Sequence, residues 1–185
     1  DFSTYGKPDS EAVKKIREEN NSHLLLIMVS RFVPSKQHQP VFEVVSELVK
    51  QGLDVKMIVM DDGPLRKDFE TFTKDHNLEG RISFVGFRTD FINYMAAADL
   101  LMHPSLTEAS NNVVKEMALL NKPAAVCKDV GDFNDYIKDR QNSYLMRRDN
   151  LKEEIRRVIV EACEHKAALS EYGTRLREDV LRIFG

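Results

Sequence analysis

Cysteine is scarce in this chain. Cys127 and Cys163 are too few and too widely spaced for a disulfide framework or a metal knuckle, which leaves a reducing compartment as the default. No apolar run approaches the length needed to cross a bilayer, and no signal peptide opens the chain. The start, DFSTYGKPDS, is acidic and polar and reads as the interior of something longer; a trimmed terminus and a separate upstream domain both fit. No G-x-G-x-x-G follows the first apolar run and no G-x-x-x-x-G-K-[ST] occurs, so a dinucleotide cofactor site and a P-loop both lose support. A nucleophile-elbow serine is missing as well. The five histidines are scattered, without metal-ligand spacing. Excess positive charge is also lacking: 27 Lys and Arg against 30 Asp and Glu give a net charge of −3, so nucleic acid is not an expected partner. No internal repeat or low-complexity segment stands out.

What is present is a soluble composition, with 42% apolar and 31% charged residues in 185, enough to bury a core in one domain. After a polar lead-in over residues 1–22, with a short helix over 11–20 capped by Asp9 or Ser10, come continuous apolar runs without alternation. Such runs suit parallel strands covered on both faces. They fall at 23–30, 54–60, 82–87, 100–102 and 123–129, with a weak sixth at 143–146. Helical periodicity fills the gaps, near 40–51 with Pro40 in the first turn, 64–76, 90–97, 113–120, 133–138 and 149–167. Ser170 is the expected start of a last helix, although Gly173 blurs that boundary. Six strands alternating with helices predict an α/β fold, a doubly wound, mostly parallel, Rossmann-like sheet.

Ligands in such folds bind beyond the carboxyl ends of the strands. Arg31, Gly63, Gly86 and Glu108 all fall at those ends. Arg31 and Lys36 could neutralise a diphosphate there, although a surface Arg and Lys are more often simply solvated. Asp61-Asp62-Gly63-Pro64 reads as a turn. Gly86 and Phe87 could sit beneath a planar base, or Phe87 could be core. The richest stretch is ADLLMHPSLTEASNNVVKEMALLN, residues 98–121. In it Ser110 to Asn112 offer helix caps, and Leu106 to Ser110 expose amides suited to an anion. Glu108 could reach sugar hydroxyls and Glu116 a ribose diol; solvated glutamates around an ordinary turn fit the same spacing. Neither role needs an unusual pKa. His103 reads as packing, and Asp129, Asp132 and Asp135 as a solvated turn.

Arg31 with Lys36, the DDGP turn, VGF at 85–87 and above all HPSLTEASNNVVKEMA at 103–118 resemble retaining glycosyltransferases of the GT-B fold, family 4, the group 1 transferases. The resemblance covers roughly residues 24–165 and makes the whole chain similar to the carboxyl-terminal, donor-binding half. It divides the chain into residues 1–22 as a lead-in from an amino-terminal domain, 23–169 as the nucleotide-sugar-binding domain, and 170–185 as a helix packing toward the other half, with Leu176, Val180 or Ile183 partly exposed. The opening DFSTY is similar to the stretch just after the interdomain strand.

By this resemblance Arg31 and Lys36 bind the donor diphosphate and stabilise the departing nucleotide. Glu108 holds the transferred sugar, the amides of Ala109 and Ser110 lie near the phosphates, and Glu116 binds the ribose. The donor is a nucleotide diphosphate sugar, with no tightly bound cofactor and no metal expected. The acceptor, a sugar or lipid-linked hydroxyl, would be held by the other half, as would any membrane contact. The setting is polysaccharide, lipopolysaccharide or glycolipid synthesis in the cytoplasm or at the cytoplasmic membrane face. The family usually has glycine where Ser30, Gln37, Asp61, Ala109 and Asp132 stand, and Asn142-Ser143 replaces a common asparagine-glycine pair. A GT-B-like sugar-nucleotide epimerase and a non-catalytic nucleotide-sensing or interaction domain are the alternative readings. The epimerase would need acid and base groups, and no paired histidine and carboxylate is evident in the sequence.

Overall fold

In the computed structural model of the protein, which describes residues 6–185, the apolar runs become six strands. They are β1 (Leu24–Val29), β2 (Val55–Met60), β3 (Ile82–Gly86), β4 (Leu100–His103), β5 (Ala124–Cys127) and β6 (Tyr144–Met146). All pair in parallel, in the order β3-β2-β1-β4-β5-β6. The register sets Leu26 beside Leu100 and Ile27 beside Leu101 across the central pair. The flanking helices are α1 (Ser10–Glu19), α2 (His38–Lys50), α3 (Arg66–Asp75), α4 (Phe91–Ala97), α5 (Asn112–Leu119), α6 (Phe133–Tyr136), α7 (Leu151–Glu164) and α8 (Lys166–Phe184). This is the expected doubly wound Rossmann-like sheet. The chain runs outward from β1 to β3, then returns to the other side of β1 to begin β4. That return makes the ends of β1 and β4 the topological switch point, the place where sheets of this kind bind ligands.

Burial explains why these runs lack alternation. Leu24 to Ile27 in β1, Leu100 to Met102 in β4 and all of β5 are fully buried. Val41, Val44, Val45 and Leu48 give α2 its buried stripe. Each of these side chains contributes about 1.5–3 kcal/mol when fully buried. Asp9 caps α1 by accepting the Ala12 amide at 2.8 Å, and Asn111 caps α5 by accepting the Val114 amide at 3.1 Å. Such caps satisfy amides that have no partner within the helix.

Two regions differ from expectation. The lead-in is integrated into the fold from residue 9: α1 packs on α4, the Asp9 amide donates to Asn93 Oδ1 at 2.8 Å, and Arg17 pairs with Asp99 at 2.9 Å. Residues 1–5, the DFSTY opening, lie outside the described residues. The last helix starts at Lys166 rather than Ser170, and Leu176 and Val180 are fully buried, with α8 packed on α5. Of the three residues expected at its surface, Ile183 alone is exposed, at 41%.

Gly173 does not break α8. A Cβ there would lie 1.9 Å from the carbonyl oxygen of Asn121, so glycine lets the helix meet the end of α5. Gly173→Ala is expected to destabilise the protein by about 1–3 kcal/mol through overpacking. That exceeds the roughly 1 kcal/mol by which alanine favours a helix over glycine. A thermal melt should show a lower Tm, by about 2–4 °C for each kcal/mol lost. An unchanged or raised Tm would count against the close approach.

Candidate functional site

The segment leaving β1 carries Arg31 and then a single turn of 3-10 helix, Pro34–Lys36. Two hydrogen bonds fix it to the DDGP turn: the Phe32 amide donates to the Asp62 carbonyl at 2.9 Å, and the Leu65 amide to the Phe32 carbonyl at 3.2 Å. The segment leaving β4 is tied to it in turn, since the Leu106 amide donates to the Ser35 carbonyl at 2.9 Å. The two loops of the switch point are thus held as one surface. Gln37 and Asp61, where the family usually has glycine, both take left-handed backbone, with φ of 59° and 87°. This conformation costs a residue with a Cβ about 1–2 kcal/mol. Part is offset locally, because Gln37 Nε2 donates to the Pro34 carbonyl at 2.9 Å and Asp61 Oδ1 accepts the Asp62 amide at 2.7 Å.

Lys36 and Glu108 meet where the two loops touch. Lys36 Nζ donates to Glu108 Oε1 at 2.5 Å and to Ser105 Oγ at 3.3 Å. His103 Nε2 lies 2.8 Å from the same carboxylate oxygen. A carboxylate can only accept, so Nε2 carries the proton in this contact. Burial by itself would raise the Glu108 pKa, but the hydrogen bonds from His103 and Lys36 outweigh it and hold the carboxyl well below the usual carboxylate range. Glu108 is therefore a fixed anion with a lowered pKa, more than its expected role requires. His103 is packed, as expected, edge-on to Phe133 and 2% exposed, yet it also orients the site carboxylate. The paired histidine and carboxylate not evident in the sequence thus exists, as His103 and Glu108.

Behind Lys36, His38 is buried among Phe32, Phe42 and Phe69, with Nε2 3.3 Å from Ser30 Oγ. Burial first, then the nearby His103 and Lys36, lower its pKa from 6.5 to about 4. The unfolded chain therefore binds a proton that the native state refuses as pH falls from 6.5 to 4, so stability drops with acid across that window. The loss from this group reaches about 3 kcal/mol below pH 4. In urea unfolding, His38→Leu is expected to flatten the pH dependence between 6.5 and 4. An unchanged slope would assign it to other groups.

Beside the Lys36–Glu108 contact, Ala109 and Ser110 are exposed ahead of the Asn111 cap, where the free amides of α5 begin. Ser110 Oγ donates to Asp132 Oδ2 at 2.7 Å and accepts from Lys115 Nζ, which also reaches Asp132 at 3.2 Å. The Lys115 ammonium stands 3.8 Å from the centre of the Phe184 ring. Asp132 is consequently not in a solvated turn: it neutralises a buried lysine, while Asp129 and Asp135 are exposed as expected. Among the described residues no group of histidine, cysteine and acidic side chains is arranged to hold a metal ion. A Cβ on Gly131 would lie 2.8 Å from the Ala109 carbonyl, so glycine lets the loop after β5 rest against the Glu108 turn.

The remaining expected residues are more dispersed. Arg31 is exposed and makes no ion pair among the described residues. Gly86 has a φ of 71°, and its carbonyl accepts the Asp61 amide at 3.0 Å. Phe87 is 82% exposed, which excludes the core reading. Glu116, 9% exposed, lines a cavity of about 360 Å³ with Lys7, Ile92, Leu120, Arg177 and Leu181, a lining that does not include Lys36 or Glu108. His103, Lys115 and Ser105 were missed by the sequence reading. The one available signal was His103 at the end of a strand, five residues before Glu108.

A Rossmann-like domain with a lysine, a fixed carboxylate and a capped helix start at its switch point belongs to the ligand-binding α/β domains. More narrowly, the family model of the glycosyl transferases group 1 matches residues 9–176, and the chain belongs to that family. The phosphatidylinositol N-acetylglucosaminyltransferase GPI3 subunit of Saccharomyces cerevisiae (strain YJM789) is 25% identical over 117 residues, 62% of this chain and 26% of that protein. The Anabaena protein Alr3699/HepE, solved in complex with UDP, superposes with a TM-score of 0.83 at 21% identity, over 95% of this chain and 49% of that one. The C-terminal domain of the group 1 family protein LpcC from Francisella tularensis superposes with a TM-score of 0.81 at 17% identity, over 96% and 94% of the two chains. This chain thus spans about a quarter of the yeast relative and half of HepE. No helix among the described residues is long and apolar enough to cross a membrane.

Proposed function

We propose that this chain is the carboxyl-terminal, donor-binding half of a retaining family 4 glycosyltransferase. The complete protein moves a hexose from a nucleotide diphosphate sugar to a hydroxyl acceptor, in polysaccharide, lipopolysaccharide or glycolipid synthesis on the cytoplasmic side. Lys36 and Arg31 take the donor diphosphate, Glu108 the sugar hydroxyls, the amides of Ala109 and Ser110 the phosphates, and Glu116 the ribose, with Gly86 and Phe87 beside the base. An upstream domain supplies the acceptor pocket. The observation that carries this reading is the Lys36–Glu108–His103 contact at the switch point between β1 and β4. It sets a positioned cation for a phosphate oxygen next to a carboxylate that stays ionised to accept sugar hydroxyls. The epimerase alternative is less well supported. A general base works best with a pKa near the operating pH, whereas Glu108 is held far below it and His103 is buried.

Titration of the chain with UDP, GDP, ADP and their sugars, followed by calorimetry, tests the donor site. One nucleotide class is expected to bind, and Glu116→Ala to weaken it about 10- to 150-fold by removing a charged acceptor worth about 1.5–3 kcal/mol. No binding of any nucleotide to the folded chain would overturn the proposal.

A further inference from the structure

A second group of cations lies at the opposite rim of the sheet, where the strands begin. Arg17 at the end of α1, Lys122 in the turn before β5 and Lys166 at the start of α8 surround Asp99, the residue before β4. That carboxylate is already committed: its Oδ2 accepts Arg17 Nη1 at 2.9 Å and the Leu25 amide at 2.8 Å, with Lys166 Nζ at 3.9 Å. The half-buried Lys122 donates its backbone amide to the Met117 carbonyl at 2.9 Å, but its ammonium makes no hydrogen bond or ion pair among the described residues. Burial pushes its pKa down, and the pull of Asp99 is opposed by Arg17 and Lys166.

These side chains border two adjoining concavities. One, of about 430 Å³, is lined by Asp99, Asn121, Lys122, Lys166 and Ser170. The other, of about 720 Å³, adds Lys14 and Arg17, with Glu18 on its exposed side. At about 30 Å³ per water, the smaller has room for several polar groups. The first turn of α8 has no acidic residue and no side-chain cap, so its amides add to the positive potential. A partly desolvated cation without a counterion is costly, and a bound anion would relieve that cost.

We propose that this concavity binds a phosphate-class anion, a phosphomonoester or diphosphate, with Lys122 and Lys166 as its direct donors. The site is remote from the donor rim and does not depend on the function proposed above. Ammonium groups on flexible stems suit phosphate oxygens presented from several directions. The phosphate could come from a small soluble ligand or from a lipid headgroup.

The test is amide NMR of the chain titrated with inorganic phosphate and pyrophosphate, in a Lys36→Met background that weakens the donor rim. Shifts are expected at Asn121, Lys122, Ala167 and Ser170. Adding Lys122→Met and Lys166→Met, which keep most of the apolar stems, should weaken pyrophosphate binding at least tenfold. If the double substitution does not fold, Lys166→Met alone, at a partly exposed side chain, serves with the same expectation. Sedimentation with phosphatidylcholine vesicles, with and without phosphatidate, separates the sources: phosphatidate-dependent capture assigns a headgroup, and soluble binding without capture assigns a free phosphate. Shifts confined to residues 103–116, affinity unchanged by the lysine substitutions, or no binding would each overturn the proposal.

Discussion

Lys36→Met in the complete transferase is expected to lower the transfer rate by about 100- to 1,000-fold, the usual cost of removing one preorganised donor to developing charge. Lys36 sits at the end of a 3-10 turn whose loop is hydrogen-bonded to both the DDGP turn and the β4 loop, so its ammonium is held in place before any ligand arrives. In the free domain its partner is Glu108, at 2.5 Å. On the proposed mechanism the donor diphosphate takes over part of this contact, and the cation stabilises negative charge as the nucleotide departs. That stabilisation grows toward the transition state, so kcat should fall more than nucleotide affinity.

The same substitution acts on Glu108. One of the three side-chain hydrogen bonds depressing its pKa, from His103, Lys36 and Asn111, disappears, and the carboxyl should titrate at higher pH than in the native protein. The acid limb of the pH–rate profile is then expected to move upward, while a melt at neutral pH changes little. A kcat within threefold of the native value would remove Lys36 from the chemistry. Loss of activity together with loss of the folded signal would assign it a structural role.

Residues 1–185 by themselves are expected to transfer sugar at least about a thousandfold more slowly than the complete protein, even with donor bound. Holding two reactants in a productive geometry is worth effective molarities of up to about 10⁵–10⁸ M in favourable cases. The switch point provides one wall, with Lys36 and Glu108 on it and Phe87 exposed nearby on the same rim. Water has free access to the exposed Ala109–Ser110 turn, and on the function proposed above the acceptor hydroxyl is positioned by the other half. Parallel assays of this chain and the complete protein, with one donor panel and one acceptor library, make the comparison. Equal rates would show that the chain holds a complete catalytic site, against the division of labour proposed here. A rise in donor hydrolysis without transfer would locate the missing function in acceptor positioning.

Much of the fold was legible because burial writes itself into the chain. Runs such as Leu24–Val29 and Ala124–Cys127 carry no alternation since both faces of those strands are covered, and α2 shows its stripe because one face alone is buried. Cap chemistry was equally local, which made Asp9 and the Asn111 neighbourhood readable. The boundary of α8 was not, because Gly173 signals a break on propensity alone, and the Asn121 backbone that requires it is distant in sequence.

Local pattern along the chain was enough to show that strands and helices alternate, and that Arg31, Lys36, Gly86 and Glu108 follow strand ends and so share a rim. It did not determine which strands are neighbours. The order β3-β2-β1-β4-β5-β6 puts β4 beside β1, and only that return brings the loop with Lys36 into contact with the loop with Glu108. The contact of His103 with Glu108, the neutralisation of Lys115 by Asp132 and the cluster of Arg17, Lys122 and Lys166 around Asp99 were likewise decided by tertiary structure. The physical reason is one of range. Propensity, capping and hydrophobic period act over a few residues, whereas hydrogen bonds and charge pairing act between whatever side chains the packed sheet brings within a few ångströms.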